Sequence, residues 1–253
     1  MARTFEGRLA LVTGATSGIG EATVRALVSG GATVIGTGRR QQRLDALREE
    51  LDERFQPHAL DMMKTEDIAG FAAALETCPD ILVNNAGLAL GLSGADAASL
   101  DDWDRMIATN VTGLVHLTRA LLPKMKAMPR ADVVNISSVA GTYPYPGANA
   151  YGATKAFVTQ FTLNLKADLV GSKVRVTSVE PGLTETEFSE VRFGGDKDKA
   201  AAVYQGTERL TGEDIARVIT DILALPAHIN INRVEVMPVC QAFGPFAIAR
   251  EQL

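Results

Sequence analysis

Short apolar runs ending in Gly, Asn or Asp alternate along this chain with longer segments of helical period. That alternation is how a parallel sheet with crossover helices reads in sequence. Runs at 9–12, 33–36, 81–84, 132–136 and 174–179 are candidate strands, with an apolar patch ending at Leu60-Asp61-Met62 between them. Helical segments are expected at about 19–29, around Leu44, Leu47 and Leu51, at 99–122 and at 151–169. At 253 residues the length suits one α/β domain large enough to bury a substantial core. The expected fold is therefore a single, doubly wound α/β domain over 1–253, a parallel sheet with helices on both faces.

Composition narrows the partners. Net charge is −5 and the basic residues are interleaved with acidic ones, so no basic tract is available for nucleic acid. Cys78 and Cys240 are too few and too far apart to suggest a disulfide framework, and His58, His116 and His228 are too scattered for metal-ligand spacing. A cytoplasmic protein without a metal fits best. The first residues lack a long apolar segment, and the run 9–12 breaks at Thr13-Gly14, so neither export nor membrane spanning is expected.

The first strand runs into Thr13-Gly14-Ala15-Thr16-Ser17-Gly18-Ile19-Gly20. Glycines there let the backbone turn tightly and approach a pyrophosphate, which the next helix would meet with its positive N-terminal end. The spacing differs from G-x-G-x-x-G, so position carries the inference: a doubly wound sheet binds its ligand between first strand and first helix. A site preferring NAD usually places an acid ~20 residues beyond such a loop, to bind the ribose 2′-hydroxyl. Here Arg39 and Arg40 stand at that place and no acid appears before Asp45. A guanidinium fork matches a 2′-phosphate, which predicts NADP(H). Asp61 could accept from the adenine amino group, with Met62 beside it, and Asn85, Ala86 and Gly87 end the fourth strand where a ligand would lie.

If 151–169 is helical, as Phe157, Phe161, Leu165 and Leu169 at four-residue steps suggest, Tyr151 and Lys155 share one face. A tyrosine has pKa ~10, so acting near neutrality needs a shift of ~3 units, or ~4 kcal/mol. Burial moves it the wrong way. An ammonium at ~4 Å supplies ~4 kcal/mol at an effective dielectric of ~20, the right sign and size. The expectation is a phenol made acidic by its lysine.

Taken together, Thr13-Gly14-x-x-x-Gly18-x-Gly20, Asn84-Asn85-Ala86-Gly87, Ser138 and Tyr151-x-x-x-Lys155 resemble the short-chain dehydrogenase/reductase family over nearly all of the chain. The resemblance implies a Rossmann-type domain and a catalytic group of Asn110, Ser138, Tyr151 and Lys155. In that group Ser138 polarises a carbonyl, Tyr151 gives the proton and the nicotinamide delivers hydride. Asn110 would hold a water linked to Lys155, and Lys155 would also bind the nicotinamide ribose. Pro181-Gly182 would contact the carboxamide and Thr186 the diphosphate. Glu185 and Glu187 read more simply as acids in a helix's first turn.

A narrower likeness lies in 85–90, Tyr143-Pro144-Tyr145, Thr186-Glu187-Phe188, Val191-Arg192 and the tail 225–239. It resembles the NADP-dependent 3-hydroxy acid (serine, allo-threonine) dehydrogenases and the sulfoacetaldehyde reductases. Both handle a short carbonyl compound bearing an anion, for which Arg192 would be the grip, with Tyr145 and Gln241 as polar substrate contacts. The polar segment 192–197 suggests a lid, at about 183–210. The tail, about 237–253, carries Phe243, Phe246 and Ile248 with little shielding, and the resemblance implies a homotetramer. Competing readings are a β-ketoacyl carrier-protein reductase, which would call for a basic docking surface, and a non-catalytic NADPH-sensing protein, which has no need of Tyr151.

Overall fold

The computed structural model describes residues 4–244. In chain order it runs β1 (Leu9–Thr13), α1 (Gly18–Ser29), β2 (Thr33–Gly38), α2 (Gln41–Leu51), β3 (Phe55–Ala59), α3 (Thr65–Ala74) and β4 (Ile81–Asn84). It continues with α4 (Leu100–Ile107), α5 (Leu114–Lys126), β5 (Ala131–Ile136), α6 (Asn149–Asp168), β6 (Val174–Pro181), β7 (Thr184–Glu185) and α7 (Phe188–Arg192). The remainder is α8 (Lys197–Ala202), β8 (Leu210–Thr211), α9 (Gly212–Ala224) and β9 (Arg233–Val236). Seven strands form one parallel sheet in the order β3-β2-β1-β4-β5-β6-β9, and β7 pairs with β8 apart from it.

Successive strand residues point to opposite faces, so a strand covered on both sides is largely apolar. Leu11 and Val133 enter the core under α3, α5 and α6, among Phe71, Leu117, Leu121 and Leu165. Val12 and Val134 enter the opposite core, under α1, α2 and α9, among Leu27, Leu44, Ile215 and Ile219. Each such side chain contributes about 1.5–3 kcal/mol on burial, which makes the two cores the main source of stability.

Several expected boundaries shift. The third strand is Phe55–Ala59, ahead of the apolar patch at 60–62, and it pairs only with β2. As an edge strand it tolerates Pro57. The segment 99–122 is one continuous rod, α4 and α5 joined through a π-helical stretch at Ala108–Gly113. The stripe Phe157, Phe161, Leu165, Leu169 is only half right. The inward face of α6 is Tyr151, Thr154, Lys155, Val158, Thr162 and Leu165, while Phe157 and Phe161 stack on each other near the surface. Strand β9 was not distinguished from the tail. Among the described residues no helix is long and apolar enough to cross a membrane. Of the apolar tail, Phe243 is exposed and packs on Tyr143, whereas Phe246 and Ile248 lie outside the described residues.

At the amino ends of the strands Asp132, in β5, is buried among arginines. Arg175 and Arg8 hydrogen-bond to it, Arg8 at 2.8 Å, and Arg130 lies 3.6 Å away. Arg175 also donates to the carbonyls of Leu223, Leu225 and Ile229, tying the end of α9 to the sheet. Removing the carboxylate would strand buried guanidinium charge, which typically costs 3–5 kcal/mol. Asp132→Asn is expected to lower unfolding free energy by about 3 kcal/mol in urea titration; a loss below about 0.5 kcal/mol would show that the cluster is not a clamp.

Candidate active site

At the opposite, carboxyl edge, β1 ends in a turn braced by β4. The Thr13 hydroxyl accepts from the backbone N–H of Asn85 and Ala86 at 3.0 and 2.9 Å, and the Asn85 amide donates to the carbonyls of Thr13 and Gly14. Asn84 faces inward instead, donating to Thr118 and to Asn135, which donates in turn to Thr162. The two neighbouring amides therefore divide between cleft and core. Gly14 and Gly18 take φ of +67° and +55°, and a Cβ on Gly20 would lie 2.2 Å from the Gly14 carbonyl oxygen. Only glycine meets those demands.

A cleft of about 320 Å³ opens above this turn. All the positions expected to hold a cofactor line it: Gly14, Thr16, Ser17, Gly18 and Ile19 on the turn, and Arg39 and Arg40 beyond β2. Asp61 and Met62 lie beyond β3, Asn85, Ala86 and Gly87 beyond β4, and Pro181, Gly182 and Thr186 beyond β6. Ser17 opens α1 without a side-chain bond to it, so the first-turn N–H groups, unpaired at any helix start, are not capped by a side chain. The hydroxyls of Thr37 and Thr109, both on the cleft wall, are buried with no partner among the described residues. A glycine cradle, an uncapped helix start and orphaned hydroxyls fit a dinucleotide.

The two arginines differ. Arg39 lines the cleft, whereas Arg40 donates to the Thr16 carbonyl and hydroxyl, to the Ser17 hydroxyl at 2.8 Å and to Glu187 at 2.7 Å. Arg43, which sequence reasoning missed, donates to the Thr16 carbonyl and pairs with Glu187 at 2.6 Å. Glu185 lies in β7 and pairs with Arg209. Neither acid stands in a helix's first turn, a correction to the expectation from their spacing. Glu187 precedes α7 and turns to the arginines.

Tyr151 and Lys155 do share a buried face of α6 with Ser138 across the cleft. Ser138 opens a short 3-10 turn, Val139–Gly141, its hydroxyl accepting from Ala140 N–H. Its neighbour Ser137 instead donates to the Lys155 carbonyl at 2.7 Å. Asn110 is buried in the π-helical stretch. Its amide accepts from Leu88 N–H and donates to the Leu88 carbonyl and to Thr154, clamping the loop after β4 onto α6. The Lys155 ammonium donates to the Ile136 carbonyl at 2.9 Å and lies 5.9 Å from the centre of the Tyr151 ring.

The expected acidification of Tyr151 by Lys155 is not found. Burial pushes the phenol up to about 12, although Ser138 and Arg192 pull it back. Burial also brings Lys155 down to about 8. Desolvation of the phenolate outweighs the pull of Ser138 and Arg192.

The segment expected to form a lid is structured: α7, α8 and the small β7–β8 pair, with Tyr204 hydrogen-bonded to Ser189 and to the Thr184 carbonyl. Phe188 packs on the Tyr151 ring at 5.6 Å. Arg192, at the other end of α7, donates to the Tyr145 hydroxyl at 2.7 Å, and its guanidinium lies 5.4 and 5.5 Å from the Tyr145 and Tyr151 ring centres. Its Nε is buried without a partner among the described residues. Gln241 is not on the cleft wall. Its carbonyl accepts from Leu183 N–H at 2.7 Å and presses on Gly182, so it braces the Pro181-Gly182 turn from behind. None of the expected substrate contacts Tyr145, Arg192 and Gln241 is among the residues that line the cleft, and Gln241 supports the turn.

A protein-family model described as short chain dehydrogenase matches residues 8–195. The NADP-dependent 3-hydroxy acid dehydrogenase YdfG of Salmonella typhi is 51% identical over 246 residues, covering 96% of this chain and 99% of that protein. Serine 3-dehydrogenase of Agrobacterium fabrum is 50% identical over 244 residues, covering 95% and 98%. A solved structure described as the closed form of serine dehydrogenase complexed with NADP+ superposes with a TM-score of 0.94 at 49% identity, covering 96% of this chain and all of that one. With a matching sheet, cleft and motif set, and relatives at half identity over their full length, the chain belongs to the short-chain dehydrogenase family.

Proposed function

We propose that the NADP-dependent oxidoreductase chemistry of this chain is the reversible conversion of a small anionic carbonyl compound into its alcohol, with 3-hydroxy acids as the alcohol class. The observation that carries this reading is Arg192: a guanidinium stacked on Tyr151 with a buried, unpartnered Nε. An unpaired buried donor costs free energy, and a carboxylate would satisfy it beside the proton donor. Relatives named for 3-hydroxy acid and serine dehydrogenation, at 51% and 50% identity, support the carboxylate. Malonic semialdehyde is the simplest such aldehyde. Sulfoacetaldehyde belongs to the same class, since a sulfonate suits the same fork.

Bound NADPH supplies the hydride. Tyr151, held as a phenol at neutral pH by its raised pKa, is in the right state to give a proton to the carbonyl oxygen during reduction. Ser138 donates to that same oxygen, and Lys155, bound to Ile136, keeps a positive charge next to the phenol as charge develops on it. Asn110 acts by holding the loop after β4 against α6. A tetramer is part of the reading: α4 and α6 leave Leu100, Ile107, Phe157 and Leu163 exposed in this single chain, and such surfaces find partners.

Two substitutions test the chemistry. Tyr151→Phe removes the proton donor but no cofactor ligand charge, so kcat should fall by ~10²–10⁴ while NADPH affinity, followed by fluorescence titration, is retained; turnover near wild type defeats the assignment. Arg192→Ala should lower kcat/KM for malonic semialdehyde or sulfoacetaldehyde ~10- to 100-fold, with far less effect on an uncharged aldehyde of the same length. Equal losses on both substrates would remove the anion from the proposal. Sedimentation velocity of the wild type should give one tetrameric species, and a monomer would refute the assembly.

A further inference from the structure

We infer that Glu187 competes with the 2′-phosphate of the cofactor for Arg40 and Arg43, and thereby sets how strongly this chain prefers NADP over NAD. The inference rests on the reading of the arginine-lined end of the cleft as the adenosine phosphate site. There, one carboxylate is bracketed by two guanidiniums, at 2.7 Å from Arg40 and 2.6 Å from Arg43. The remaining acceptors on these donors, the Thr16 carbonyl and hydroxyl and the Ser17 hydroxyl, are neutral. Glu187 is thus the anion already seated where the second anion must arrive.

The chemistry of the two cofactors makes the consequence directional. A 2′-phosphate beside Glu187 meets a like charge and must share or displace it on the same forks. A ribose 2′-hydroxyl meets a hydrogen-bond acceptor, which is the role an acid plays in NAD sites. In this chain that acid comes from the lid, 147 residues from Arg40, and not from the end of β2. Partial burial pushes the Glu187 carboxyl up, but the bonds from Arg40 and Arg43 hold it below the usual carboxylate range, so the competitor is charged at neutral pH.

Calorimetric titration with adenosine 2′,5′-bisphosphate and with 5′-AMP separates the outcomes. Glu187→Gln is isosteric and partly exposed, and it keeps a side chain that can accept from one arginine. Removing an exposed charge competitor should tighten the bisphosphate roughly three- to tenfold and leave 5′-AMP unchanged or weaker, with the NADP+/NAD+ affinity ratio rising in step. Unchanged or weaker bisphosphate binding in the variant overturns the inference and makes Glu187 a bridge, not a rival. If the wild type itself shows no preference for the bisphosphate over 5′-AMP, the phosphate-site reading falls and takes this inference with it.

Discussion

The site depends on burying an ammonium and a phenol side by side where the strands end. Lys155 and Tyr151 are both almost wholly enclosed, and such groups resist carrying charge away from water. What makes the enclosure tolerable is a frame of satisfied polar groups. Lys155 donates to Ile136, its own carbonyl accepts from Ser137, and Asn110 ties Leu88 to Thr154 one residue before it. Behind them, the Asn84–Asn135–Thr162 chain crosses from β4 through β5 to α6. A half-satisfied network would be costlier than an apolar core, so these side chains fix the position of α6 against the sheet.

The same burial links protonation to stability with opposite signs. Lys155 is lowered from 10.5 to about 8, so the folded chain binds its proton less readily than the unfolded one. Its contribution is unfavourable below about pH 8 and is relieved as pH rises toward 10.5. Tyr151 is raised from 10.0 to about 12, so its contribution is present below pH 10 and is lost between 10 and about 12. The reactive pair therefore favours the fold most where lysine is neutral and tyrosine still protonated, a window above neutrality. At neutral pH the chain retains the lysine charge, at some expense of stability.

What local sequence could reveal follows from which interactions are local. The sheet was legible because two-sided burial favours apolar runs such as 9–12 and 81–83. The cradle was legible because Gly14 and Gly18 have backbone conformations that side chains rarely adopt. The pairing of Tyr151 with Lys155 follows from helix pitch. The acidity of Tyr151 did not follow, because pitch brings the two side chains to one face but does not say whether the ammonium faces the phenol or Ile136. Glu187 with Arg43, and Gln241 with Leu183, escaped for another reason: partners that meet across the fold leave no period in the sequence. The inward face of α6 was misjudged because Phe157 and Phe161, the largest apolar side chains there, stack outside while threonines and a lysine go in.

The five residues of α7 connect the two ends of the cleft. Just ahead of them Glu187 meets the arginines, Phe188 lies on the Tyr151 ring, and Arg192 reaches Tyr145 and Tyr151 from the far end. The ion pairs at its first end and the guanidinium at its last are carried on a single five-residue element. The seating of Glu187 and the placement of Arg192 share one short element, so the arginines at the two ends, Arg40 with Arg43 and Arg192 with the tyrosines, are set together.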